Sequence, residues 1–441
     1  MERKAFDKLK IWKDRANRKP LLIQGARQVG KTWLMRKFGR REYRNTAYLS
    51  FADQPRAAGI FEQDYNGEEI LRSISLLTNE PIRPESTLII LDEIQDCERA
   101  IHSLKFLREN APQYHIMAAG SLLGVAMKHR HQSFPVGQVD MLHLAPLSFD
   151  EFLDAMGEHA LLSVLKEANV RLMQTAHEKL ITRLKEYLYV GGMPEVVASY
   201  AAGYGAAEAR RIQQQIISGY ENDFAKYTAA KDVPRIHSVW SSVPAQLAKG
   251  NRKFVYKLLG TGARAREYEM AVEWLILCGL LHRVRRISKP AMPLSAYEQP
   301  NSFKLYALDC GLLGALARLD AQSLLDGNTI FEEFKGALTE QFVLQELIAL
   351  GNPPAYWEAD GGTAEVDFVA QFGSSVIPIE AKAGLNLRAR SLASYRQRYA
   401  PEYAVRTSLS PYEQNDTLYN IPLYAFAHAQ HLVLNLSSAQ K

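Results

Sequence analysis

Cysteine is scarce in this chain of 441 residues. Its three cysteines, Cys97, Cys278 and Cys310, lie far apart and share no metal-ligand spacing. They build neither a disulfide framework nor a zinc site, which fits a reducing cytoplasm. Long apolar runs are also missing. No stretch reaches the roughly 18 apolar residues of a membrane span, so no membrane partner is expected. The opening, Met1-Glu2-Arg3-Lys4, leads into a charged amphipathic helix and does not read as a signal peptide. Repeats and low-complexity tracts are absent. Neither sign of charge dominates: 53 Lys and Arg stand against 48 Asp and Glu, a formal net charge of +5. That surplus permits nucleic-acid binding without demanding it. The length exceeds one ordinary core and implies roughly two to four domains.

What the chain does contain is Gly25-Ala26-Arg27-Gln28-Val29-Gly30-Lys31-Thr32, a complete G-x-x-x-x-G-K-[ST] phosphate loop. The apolar run Leu21-Leu22-Ile23 precedes it, and a helical pattern from Thr32 to Phe38 follows. Gly25 and Gly30 let the backbone turn its N–H groups inward around a phosphate. The next helix adds its positive N-terminal end. Lys31 can reach the β- and γ-phosphates, and the Thr32 hydroxyl can complete a Mg²⁺ shell. ATP and Mg²⁺ are therefore the expected cofactors.

Further on, Leu88-Ile89-Ile90-Leu91-Asp92-Glu93 is an aliphatic run ending in two acids. Such a run suits a parallel strand covered on both faces, whose carboxyl end adjoins the ligand. Asp92 would hold Mg²⁺ through water and Glu93 would polarise the attacking water, with Lys31 stabilising charge. The plainer alternative is a strand followed by an acidic helix cap.

Strand and helix patterns alternate up to about residue 145. Strands are expected at 21–24, 46–51, 87–91, 115–119 and 141–144, with helices between, one of them at 98–110. The fold class is α/β, a doubly wound parallel sheet. Ser121 ends the fourth strand, where it can contact phosphate or orient water, or simply cap the helix from Leu122.

Taken together, the phosphate loop, Leu91-Asp92-Glu93-Ile94-Gln95, Ala119-Gly120-Ser121-Leu122-Leu123 and Pro146-Leu147-Ser148-Phe149-Asp150-Glu151-Phe152 resemble a prokaryotic AAA+-type P-loop ATPase family with a distinctive C-terminal domain. The resemblance spans nearly the whole chain. It implies Walker A residues Lys31 and Thr32, Walker B residues Asp92 and Glu93, and a sensor-like Ser121. Members often carry a base after the glycine of Phe134-Pro135-Val136-Gly137; here that residue is Gln138, which puts the role of that base in doubt. Lys128 and Arg130 lie nearby, where a solvated basic turn is the plainer reading. Relatives often form rings, so a homo-oligomer is a candidate assembly.

Residues 150–240 read as helical, interrupted at Tyr189-Val190-Gly191-Gly192-Met193-Pro194-Glu195, a hinge or packing corner. That segment and Asp223-Phe224-Ala225-Lys226-Tyr227 also match the resembling family. Residues 235–287 suggest a winged helix: a helix or turn at 254–259, an amphipathic helix at 264–278 and a wing strand at 280–284. Basic residues gather there: Lys249, Arg252, Lys253, Lys257, Arg264, Arg266, Arg283, Arg285, Arg286 and Lys289. They suit DNA phosphates, or a solvated face on a protein-interaction module. Asp309, in Leu305-Tyr306-Ala307-Leu308-Asp309-Cys310-Gly311-Leu312, is a site carboxylate or the cap of a helix at 311–319.

The last constellation is Glu340, Asp367, Glu380 and Lys382. Residues 364–370 and 376–382 read as a hairpin. Period two sets Glu380 and Lys382 on one face, within reach of Asp367. Glu340 lies on a helix at 336–350 that can pack across them. The pattern resembles the PD-(D/E)xK nuclease fold. That fold implies carboxylates on Mg²⁺ or Mn²⁺ and a Lys382 that positions water. A simple Glu380–Lys382 pair across a strand face is the alternative. Arg388 and Arg390 suit a phosphate backbone or solvent.

The expected organisation is an ATPase domain at 1–147, a helical region at 148–234, a winged-helix-like region at 235–300 and a nuclease-like domain at 301–441. Three functions remain open: an ATP-driven DNA-processing nuclease, a regulatory switch on an inactive nuclease scaffold, and a DNA-binding regulator.

Overall fold

A computed structural model gives the fold and describes residues 2–62, 66–121, 137–250, 252–321, 332–384 and 390–438. Leu122, Leu123, Lys128, Arg130, Phe134, Pro135, Val136 and Arg388 lie outside the described residues, and with them the helix that Ser121 was expected to cap. The chain divides into two compact units, one of residues 2–145 with 277–280, the other of 146–276 with 281–441.

The first unit is built on a parallel sheet of five strands: β1 (Leu21–Gln24), β2 (Asn45–Ser50), β3 (Thr87–Asp92), β4 (His115–Gly120) and β5 (Asp140–His143), in the order β2-β3-β4-β1-β5. Every pairing is parallel. β3 and β4 are buried at each position, which is why their sequences run apolar without alternation. Helices Gly67–Thr78 and Glu98–Asn110 pack Ile70, Ile74, Leu104 and Leu107 into one core with Leu49, Ile89 and Leu91. The topology brings the chemistry together. β4 lies between β1 and β3, so Ser121 emerges between the phosphate loop and the paired acids.

The second unit begins with helices from Phe149–Ala155 to Ala265–Leu277. Ser148 and Glu151 form a capping box on the first. Its Phe149 N–H donates to Glu346 Oε1 at 2.8 Å, far along the chain. The Gly191-Gly192 corner is a packing corner. Gly191 has φ +74°, and a Cβ there would overlap the Asp309 carboxylate; one on Gly192 would overlap the Leu147 carbonyl. Asp309 caps helix Cys310–Leu316 through the Leu312 N–H (3.0 Å) and also accepts from the Gly192 N–H (2.6 Å) and Gln345 Nε2 (3.2 Å). Phe224, buried on helix Gly205–Tyr227, packs edge-on against Trp240 and Trp274.

An eight-stranded mixed sheet follows: β6 (Leu281–Ile287), β7 (Glu298–Ala307), β8 (Ala355–Glu358), β9 (Glu365–Phe372), β10 (Ser375–Ala381), β11 (Ala404–Ser408), β12 (Glu413–Asn415) and β13 (Leu418–Pro422). Their order is β12-β13-β11-β10-β9-β8-β6-β7. The expected helix at 264–278 is present as Ala265–Leu277, but the strand read as a wing is not free. β6 pairs with β7 on one side and β8 on the other. Its buried Ile287 joins a core with Trp357 and Val366. The boundary expected at residue 300 therefore falls inside β7.

Candidate nucleotide site and the C-terminal carboxylates

The phosphate loop runs from β1 into helix Lys31–Glu42. Gly25 has φ +154°, and a Cβ there would overlap the Leu144 carbonyl, so the loop can close only with glycine. Ala26 and Val29 are buried, while Arg27 and Gln28 crest the loop in solvent. Lys31 is 7% exposed. Its ammonium donates to the Gly25 and Ala26 carbonyls at 2.9 and 2.8 Å. Burial brings its pKa down to about 8, against the pull of Glu93 and Asp92.

Asp92, at the end of β3, is engaged on both oxygens. Oδ2 accepts from Thr32 Oγ1 at 2.6 Å and from the Tyr48 hydroxyl at 3.0 Å; Oδ1 accepts from the Glu93 N–H at 3.0 Å. Burial, and then the Asp92 charge, push the Tyr48 hydroxyl up to about 12, so it stays a donor. Arg36 stacks on the Tyr48 ring 3.9 Å from its centroid. Glu93 sits in the left-handed region, φ 50°. Such a conformation costs about 1–3 kcal/mol and is characteristic of functional sites. Gln95 Nε2 donates to Glu93 Oε2 at 2.6 Å and fixes its carboxylate. Ser121 follows β4, 8% exposed.

Tyr48 and Gln95 were given no role in the sequence reading. The signal was available for Tyr48: β2 pairs with β3 in a register that sets Ser50 beside Asp92, so an aromatic hydroxyl two residues earlier on the same face can reach it. Gln138, where a base was expected, accepts from Arg108 Nη1, which also donates to the Gly137 carbonyl at 3.2 Å. A guanidinium thus reaches that position from helix Glu98–Asn110. The donor set fits Mg-nucleotide: a hydroxyl and a carboxylate oxygen converge, with a buried ammonium beside a loop that admits no Cβ at Gly25.

In the second unit the expected hairpin forms. β9 and β10 are antiparallel with Phe368 opposite Ile379. One step further sets Asp367 opposite Glu380. Asp367 Oδ2 accepts from the Ala381 N–H at 2.8 Å, and Lys382 Nζ donates to Glu380 Oε1 at 2.6 Å. Glu340 comes from helix Glu332–Leu350, buried at 1% exposure.

Glu340, Asp367 and Glu380, the residues expected to hold a metal, are packed among cations of the chain. Among the described residues no group of three or more His, Cys, Asp or Glu is arranged to hold one. The cations are supplied by the chain itself. Arg252 Nη1 pairs with Glu340 and lies 4.0 Å from Asp367; Lys304, fully buried, lies 3.9 Å from Glu340 and pairs with Glu365. Tyr306 donates to Glu340 at 2.8 Å. Burial works against the Glu340 charge, but Arg252 and Lys304 outweigh it and hold its pKa low. Burial and the Glu340 and Glu380 charges push Asp367 well up. Burial also raises Glu380, partly offset by Lys382. Like-charge repulsion among carboxylates pointed to a cation; Arg252 and Lys304, remote in sequence, fill that role.

Half of the basic cluster, read as suited to DNA phosphates or to a solvated face, is engaged in ion pairs, Arg252 with Glu340 among them. Lys253 pairs with Glu358, Arg283 with Glu273, Arg285 with Glu298 (3.0 Å) and Arg286 with Asp360 (3.2 Å). Arg390 begins the helix Arg390–Tyr399 and is exposed.

Residues 17–153 match the family model of an AAA domain. Two domains of unknown function match parts of the remainder, DUF8612 over residues 181–323 and DUF4143 over residues 335–426. Among solved structures, the Walker-type ATPase of Pyrococcus abyssi is similar at 13% identity and TM-score 0.45, covering 71% of this chain and 94% of that one. The Aeropyrum pernix ORC2 protein is similar at 14% identity and TM-score 0.36, over 76% of this chain and 92% of that one. The Thermotoga maritima RuvB Holliday junction branch migration motor is similar at 16% identity and TM-score 0.28, over 63% of this chain and 88% of that one. No curated protein matches the sequence. No helix among the described residues is long and apolar enough to cross a membrane. The chain thus carries an AAA-type P-loop ATPase domain, followed in sequence by two regions that match families of unknown function.

Proposed function

We propose that this chain binds ATP with Mg²⁺ and hydrolyses it, and that its nucleotide state governs the C-terminal unit, which serves as a scaffold. The observation that carries the reading is the Thr32–Asp92 contact at 2.6 Å beside a buried Lys31 whose ammonium hydrogen-bonds loop carbonyls. In this reading Lys31 leaves those carbonyls for the β- and γ-phosphate oxygens. Thr32 and Asp92 hold Mg²⁺, Asp92 through water, with Tyr48 keeping the carboxylate oriented. Bound Mg²⁺ would supply positive charge to the phosphates. Glu93, positioned by Gln95, orients and polarises the attacking water, and Ser121 contacts phosphate or water from β4.

Nucleotide titration of wild type and Lys31→Ala, with circular dichroism as the fold control, tests this. Saturable ATP binding lost in a folded Lys31→Ala protein is the expected result. Equal binding and turnover by both proteins would overturn the assignment.

The second reading is a nuclease acting on DNA. It is favoured by the meeting of Glu340, Asp367 and the Glu380–Lys382 pair at one place on the sheet. The internal pairing of those carboxylates with Arg252 and Lys304 weighs toward the scaffold. Plasmid and linear DNA incubated with Mg²⁺ or Mn²⁺, with and without ATP, separate the two. The scaffold reading expects no cleavage; cleavage that disappears in Asp367→Ala would replace it with the nuclease.

A further inference from the structure

A cavity of about 550 Å³ opens in the first unit at the amino-terminal ends of the strands, the end of the sheet opposite the phosphate loop. Its residues precede or begin strands: Arg18 comes before β1, Glu85 before β3, and His115 starts β4. Nucleotide sites on parallel sheets use the carboxyl ends of the strands, so this cavity belongs to a different place.

Two buried nitrogens of its lining residues, Arg18 Nε and His115 Nε2, have no hydrogen-bond partner among the described residues. Arg18 uses only Nη1, which donates to the carbonyls of Lys13 (2.9 Å) and Arg15 (3.4 Å). Its buried Nε has no hydrogen-bond partner, and Nη2 makes no hydrogen bond among the described residues. His115 is 4% exposed. Its Nδ1 meets the Tyr43 hydroxyl at 2.6 Å, and Trp12 and Tyr43 pack edge-on against the ring. Its Nε2 is buried and has no partner. Burial keeps the Tyr43 hydroxyl protonated. In the tautomer in which Tyr43 donates to Nδ1, the one an anion would select, the ring proton lies on Nε2 as a second donor. Each unpaired buried polar group costs about 1–3 kcal/mol, which a bound acceptor would recover.

We propose that this cavity is an anion site that takes the phosphoryl or carboxylate end of a small molecule, gripped by the Nε–Nη2 edge of Arg18 and by His115 Nε2. That edge of a guanidinium is the fork that matches two oxygens of one oxyanion. The exposed rim carries the acids Asp14 and Glu85 beside Arg15. Those acids disfavour an extended polyanion such as a nucleic-acid backbone and leave room for a single terminal oxyanion.

Inorganic phosphate, pyrophosphate and succinate are titrated calorimetrically into full-length Lys31→Ala protein, whose phosphate loop is disabled. The same titrations follow with Arg18→Gln, His115→Gln and Glu85→Gln added. Saturable binding by at least one probe is expected, weakened about tenfold or more by Arg18→Gln or His115→Gln. Glu85→Gln, on the exposed rim, should tighten it. As single substitutions in the otherwise native chain, all three should leave ATP turnover unchanged, which shows that they fold. Binding of the phosphates alone assigns a phosphoryl ligand, and binding of succinate alone a carboxylate one. No saturable binding of any probe, or binding that both Arg18→Gln and His115→Gln leave intact, would overturn the proposal.

Discussion

Lys31 sets a pH dependence of its own. In the free site its pKa is brought down to about 8 by burial. Only the ammonium attracts phosphate, and bound phosphates favour that form. Below pH 8 the charge is already present and affinity is flat. Above pH 8 binding must take up a proton, so affinity falls toward about tenfold per pH unit. Calorimetry of ATP binding from pH 7 to 9.5, in buffers of different ionisation enthalpy, checks this. Proton uptake that grows above pH 8 is expected; constant affinity across the range would show that Lys31 is fully charged in the free site.

Arg252 is the residue on which the C-terminal cluster turns. Removing it leaves Glu340 buried with one cation fewer. Arg252→Ala should lower unfolding free energy by about 3–5 kcal/mol, the usual cost of breaking a buried pair, as read by urea denaturation. A change within about 0.5 kcal/mol would mean that Lys304 alone balances the cluster. The acids of this site were legible in the sequence because spacing along a hairpin and a helix marks them. Arg252 and Lys304 were not, since nothing local ties residue 252 or 304 to residue 340.

Among elements, β1, β3 and β4 were readable because aliphatic runs bounded by Gly, Asp and Ser leave little alternative for a buried parallel strand. The β9–β10 hairpin was readable from alternation and its short turn. β6 was read only as a wing because its basic residues, set between Leu281, Val284 and Ile287, suit a solvent-facing strand equally well. Its parallel partner β8 lies some seventy residues on, and such pairing leaves no local trace. The Gly191-Gly192-Met193-Pro194 corner shows the converse. Its motif was visible, but its reason is the close approach of the Leu147 and Asp309 segments. Gly192→Ala should therefore cost about 1–3 kcal/mol by forcing the backbone off the Leu147 carbonyl. Thermal denaturation measures it; an unchanged midpoint would mean that the corner yields freely.

For the molecule as a whole, one unit carries a phosphate loop, paired acids and a buried Ser121 at the end of β4, and the other carries a carboxylate cluster paired with Arg252 and Lys304. ATP hydrolysis by the first is the central claim, and Glu93 is where it is most exposed. The most direct measurement is single-turnover ATP hydrolysis by wild type and Glu93→Gln, with ATP affinity determined in parallel. The account predicts near-equal affinity and a hydrolysis rate about 10²–10⁴-fold lower in Glu93→Gln. Equal hydrolysis rates, or no hydrolysis by the wild-type protein at saturating Mg²⁺ and ATP, would contradict it.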